Sequence, residues 1–180
     1  MSSTNKPEIL LLSLSYIDFF DETYASLLNR LLEVFHVKRV KNATAALREL
    51  SNSTFKVIII TDEGLTEPAN REVLAKVKTY IEGGGLAIVG LHFPNFITLD
   101  RMDGFFKEFD LPWKRGDYRR TIFQFVPSSI FPTSLNLASV PEPYSMKVVH
   151  IANARTQEKI FVPTPGALTQ IRVFPTGPCR

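Results

Sequence analysis

With 180 residues, 44% hydrophobic and 22% charged, the chain has the composition of an ordinary globular protein with a sizeable core. No apolar run reaches the ~20 residues a membrane helix needs, and one cysteine, Cys179, excludes an internal disulfide, so a cytoplasmic setting is expected. The net charge of +3 is uneven: residues 1–110 carry 12 basic and 15 acidic side chains (−3), residues 111–180 nine basic and three acidic (+6), which is too small an excess to argue for nucleic acid.

The polar residues 1–7 are expected to be a disordered lead. Glu8–Leu14 reads as a first strand, apolar enough to be buried on both faces. Asp21 is placed to cap a helix whose inward face is Tyr24, Leu27, Leu28, Leu31 and Phe35. His36–Val40 is a second, shorter strand, and Asn42 or Thr44 starts a helix burying Leu47 and Leu50. Phe55–Ile60 is β-branched and central in character. Thr66, with Pro68 in the first turn, opens a helix carrying Val73, Leu74, Val77, Tyr80 and Ile81 on one face, and Gly83–Gly85 stops it. Leu86–Val89 is the fourth strand, and Asp100 caps a helix presenting Met102, Phe105, Phe106 and Phe109.

Strands alternating with helices imply a parallel sheet with right-handed crossovers. The expected fold is an α/β three-layer sandwich with a mostly parallel, flavodoxin-like sheet in the order 2-1-3-4, its topological switch point between the first and third strands. After Asp110 the style changes, and nine of the twelve prolines lie in residues 111–180. Thr121–Val126, Met146–Ala152 and Glu158–Val162 read as strands in an irregular, Pro-rich continuation of the same domain. Residues 8–165 are thus expected to form one domain, and residues 166–180 an irregular or truncated tail.

Ligands and chemistry gather at the carboxyl ends of strands in such sheets. His92 stands there, just past the fourth strand; an imidazole titrates near neutrality and suits a general base, or it holds the turn by hydrogen bonding. Asp62 and Glu63 follow the third strand, where a carboxylate orients the imidazole or favours a helix N-terminus. Ser15 and Tyr16 from the first-strand loop, with Gly90, Phe93 and Asn95 around the fourth-strand turn, would line the same crevice. Trp113-Lys114-Arg115-Gly116-Asp117-Tyr118-Arg119-Arg120 interleaves aromatic and basic groups. Trp113, Arg119 and Arg120 there grip an anion or stack on a ring, or the segment is a solvated loop. Gly83–Gly85 ends a helix and precedes a strand, the reverse of a dinucleotide-binding glycine motif, so it is read as structural and no cofactor is expected. His36, His92 and His150 are too scattered to form a metal motif. The 14 phenylalanines include enough for a core and a patch that pairs two copies.

The run Tyr80-Ile81-Glu82-Gly83-Gly84-Gly85-Leu86-Ala87-Ile88-Val89-Gly90-Leu91-His92 resembles the class I glutamine amidotransferase-like superfamily, and within it the trehalose-utilisation (ThuA-like) branch. Val57–Asp62 with its following helix, and Pro141-Glu142-Pro143-Tyr144, fit the same plan over roughly residues 8–165. Catalytic members of that superfamily place a Cys at the sharp turn after this strand; here Leu91-His92-Phe93 occupies it. The resemblance therefore implies a domain that binds a small polar molecule, such as a sugar derivative, at the strand ends without Cys-based glutaminase activity. The alternative is a hydrolase or isomerase using His92 with Asp62 or Glu63 as acid and base. A partner protein covering the basic segment is a third reading.

Overall fold

The computed structural model describes residues 6–127 and 137–167. The chain forms two compact units, residues 1–109 and 110–180.

In the first unit, strands β1 (Glu8–Leu12), β2 (His36–Val40), β3 (Val57–Ile60) and β4 (Leu86–Val89) form a parallel sheet in the order β2-β1-β3-β4. Leu12 is level with Val40 on one side and Ile60 on the other, and Ile60 is level with Val89. Residues level with one another share a face of a parallel sheet. One face carries Ile9, Leu11, Val57, Ile59, Leu86 and Ile88; the other carries Leu10, Leu12, Ile58, Ile60 and Val89. β1 is central, so Ile9 to Leu12 are all buried whichever way they point.

Right-handed crossovers send helix α2 (Ala25–Val34) to one face and α3 (Ala43–Asn52) and α4 (Arg71–Glu82) to the other, which gives the three layers. Leu28 and Leu32 of α2 stand beside Val37 and Arg39 of β2. α3 packs against α4, and Val73, Leu74 and Val77 of α4 are buried. α6 (Leu99–Glu108) is joined to α4 by the pair Lys78–Glu108. α2 thus covers only part of its face. On that face β4, the edge strand, leaves Leu86 55% and Ile88 46% exposed.

Local chemistry sets the element ends. Asn42 caps α3, its side-chain oxygen accepting from the backbone N–H of Ala45. The helix expected from Thr66 begins at Arg71. Two 3₁₀ turns, Glu63–Thr66 and Pro68–Asn70, precede it because the Asp62 carboxylate accepts from Gly64 N and the Thr66 hydroxyl donates to Glu63 O. Asp21 is not a cap: it lies inside the short helix α1 (Phe20–Thr23), where Arg39 and the Tyr16 hydroxyl hold its carboxylate and bring its pKa down. Gly84, at φ 88°, turns the chain out of α4 where a side chain would be strained.

The second unit is a small antiparallel sheet of β5 (Lys114–Phe125), β6 (Tyr144–Ala152) and β7 (Phe161–Pro163), in the order β6-β5-β7. β5 begins seven residues before the expected Thr121. The register shifts between Arg115 and Tyr118, at Gly116, where a Cβ would lie 2.9 Å from the His150 carbonyl oxygen. That bulge breaks the alternation by which a strand is recognised. Among the described residues no helix is long and apolar enough to cross a membrane. Residues 1–5 of the expected lead and 168–180 of the expected tail lie outside the described residues.

Candidate functional site

The switch point between β1 and β3 is packed with the protein's own groups. Ser13 and Thr61, both 0% exposed, share a hydrogen bond of 2.8 Å, and the Thr61 hydroxyl is also 3.1 Å from Leu12 O and 3.3 Å from Asp62 Oδ2. Asp62 Oδ1 accepts from Ser15 N at 2.9 Å and from Gly64 N at 3.1 Å. Thr61 O accepts from the N–H groups of both His92 and Phe93. Gly64 lies so close to the first-strand loop that a Cβ would come within 2.6 Å of Leu14 C and Ser15 N. The loops after β1, β3 and β4 are thus tied to one another where a doubly wound sheet ordinarily opens a crevice.

Burial dominates the Asp62 carboxyl and pushes its pKa up, against the pull of its N–H and hydroxyl donors. His92 is 3% exposed. Its ring lies 5.0–5.2 Å from those of Phe19, Phe20, Tyr24 and Phe96. Among the described residues no hydrogen bond joins it to Asp62 or Glu63. Glu63 Oε2 is buried without a partner. The Tyr16 hydroxyl donates to Asp21 at 2.9 Å, with the Lys41 ammonium 3.3 Å above its ring, and that ring lies 6.0 Å from the ring of Phe20.

The fourth-strand turn has one strained residue. β4 runs through Gly90, whose N–H donates to Ile60 O, to Leu91 at φ 59° and then into α5 (Phe93–Phe96). A left-handed leucine costs about 1–2 kcal/mol. Phe93 is buried against Phe105, ring centroids 4.7 Å apart, and the exposed Asn95 amide donates to Leu91 O at 3.3 Å. The expected site residues therefore split: Ser15, Asp62, Gly90, His92 and Phe93 come together as packing and backbone ties, while Tyr16 adjoins the cluster only through Phe20 and Asn95 is exposed.

Trp113 comes just before β5, and Arg119 and Arg120 are in it, pointing to opposite faces. Arg120 is exposed opposite Lys147, whereas Arg119 reaches Asp117 at 3.7 Å and has its Nε buried without a partner. The Trp113 indole N–H donates to Glu158 Oε2 at 2.8 Å. The same unit holds His150, discounted in sequence for lack of a metal-ligand spacing. It is half-buried beside Phe123, ring centroids 5.4 Å apart, with Nε2 buried and unpartnered. Burial first, and the Arg119 charge second, lower its pKa. The alternation of Met146–Ala152 was the signal that could have found it, because it puts His150 on the face of Val148. Among the described residues no cluster of His, Cys, Asp and Glu could hold a metal. No family model matches the chain, and neither a curated protein nor a solved structure matches it.

Proposed function

We propose that the chain is a non-catalytic binding domain built on the plan of the ThuA-like amidotransferase-like proteins it resembles. The observation that carries this is the fourth-strand turn. A sharp strand-to-helix turn is the device that presents a nucleophile in α/β enzymes. Here its strained position holds Leu91, which has neither thiol nor hydroxyl. The neighbouring groups support the same reading: a general base must reach its substrate's proton, and His92 is enclosed by four rings. The Asp62 oxygens already serve Ser15, Gly64 and Thr61. With Gly64 filling the switch point, the ligand binds away from the strand ends.

Two measurements on the purified chain test this. Hydrolysis of glutamine, simple amides, esters and glycosides is expected to be absent. A thermal-shift panel of sugars, sugar acids, amides, phosphates and aromatic acids is expected to yield a ligand; at 100 times its Kd it stabilises by about 2.7 kcal/mol. Turnover that disappears in a folded His92→Ala variant would establish the acid/base reading instead.

A further inference from the structure

We infer that the small antiparallel sheet carries a binding site for a small aromatic or otherwise apolar anion, in a cavity bounded by Trp113, Phe123, Ile160 and Phe161. The inference rests on the reading of the chain as a binding domain and names the class of its ligand. The cavity measures about 400 Å³ and lies wholly within the second unit. That volume is in the ordinary range for small-molecule sites, and the pattern of apolar walls with few polar groups is the usual one. Three aromatic side chains favour a flat or ring-bearing body.

The polar groups decide the charge. Glu158 lines the cavity, but its Oε2 already accepts from the Trp113 indole at 2.8 Å and from Arg155 N at 2.7 Å, and Arg155 Nε is 3.7 Å from its Oε1. Its negative charge is therefore compensated. Lys159 is exposed at the rim and makes no ion pair among the described residues. His150 brings a buried nitrogen without a partner, and its lowered pKa keeps the ring neutral at pH 7, able to share one hydrogen bond. The described residues of 111–167 carry seven basic and three acidic side chains, an excess of the same sign as Lys159. An apolar body with one anionic head meets the Lys159 charge and accepts from His150 in the tautomer that carries its proton on Nε2, whereas an ammonium group would face the Lys159 charge.

Trp113 is the only tryptophan of the chain, so its emission reports the cavity directly. The full chain is titrated with phenylacetate, its neutral counterpart phenylacetamide, and benzylamine. Phenylacetate is expected to change the emission saturably, phenylacetamide to bind about five-fold more weakly, and benzylamine not to bind. Ala154→Phe, which fills the cavity, is expected to abolish the response. Lys159→Glu, an exposed change that leaves packing alone, is expected to raise the phenylacetate Kd about five-fold or more. Far-ultraviolet circular dichroism checks that both variants are folded; if Ala154→Phe is not, the Lys159→Glu result decides. Benzylamine binding as well as phenylacetate, a Kd indifferent to Lys159→Glu, or a response that survives in folded Ala154→Phe would each overturn the site. A silent Trp113 together with a ligand found in the thermal-shift panel overturns the site and leaves the binding reading standing. Silence in both overturns both.

Discussion

A carboxylate that is 2% exposed and receives hydrogen bonds from two separate loops acts as a fastener, and Asp62 is placed to do this between β1 and β3. Its pKa in the fold is raised, so the native state binds the proton more tightly than the unfolded chain. The linkage follows: Asp62 favours the fold below the ordinary carboxylate pKa, and that contribution is lost as pH rises through the folded value. Asp62→Asn keeps an oxygen for Ser15 and Gly64 but cannot ionise. The variant is expected to gain on the wild type as pH rises from 3 to 7 and to stay within about 1 kcal/mol of it at pH 7; urea unfolding across that range reads the difference. His92→Ala removes contacts with four rings and is expected to cost about 3 kcal/mol, read as a lowered urea midpoint. Both positions were visible in sequence, as a carboxylate and an imidazole after neighbouring strands. Their roles were not, because whether an imidazole meets substrate or Phe19 and Phe96 depends on how α1 and α5 fold over it.

At the scale of elements, periodicity was legible wherever one face was buried without interruption. β1, β3 and α4 follow their apolar patterns, with ends shifted by side-chain chemistry at Asp62 and Thr66, whereas β4 forms where expected although Leu86, Ile88 and Val89 are exposed. Lys114–Arg120 was not legible, since the bulge at Gly116 puts consecutive polar residues where alternation should be. The same sheet has a pH response. His150 has a lowered pKa from burial and from Arg119, with Asp117 opposing. The unfolded chain then binds the proton more tightly, so stability is present above the ordinary imidazole pKa of about 6.5 and is lost as pH falls through the folded value. The thermal midpoint reported by Trp113 emission is expected to fall between pH 7 and pH 5. His150→Phe, a ring of similar shape beside Phe123, is expected to remove most of that slope.

Within the first unit, the edge strand β4 leaves an apolar surface bare. β4 is an unpaired edge of four residues without a charge or a proline, and Leu86 and Ile88 lie bare on the face that α2 covers only in part. Edges of this kind pair with other chains unless a charge blocks them. Ile88→Lys is therefore expected to lower the concentration-dependent rise in apparent mass seen by light scattering, while changing stability by less than about 1 kcal/mol, since Ile88 is 46% exposed already. The alternation of strands and helices by itself determined the α/β class and the order β2-β1-β3-β4, because a parallel sheet with right-handed crossovers leaves few arrangements for four such units. It also placed His92, Asp62 and Leu91 at the carboxyl ends of strands. Only the tertiary structure decided that the switch point is filled, that His92 is enclosed and that a cavity forms around Trp113 and His150. Those outcomes depend on contacts between residues about 20 to 80 positions apart, whose distances no local pattern carries.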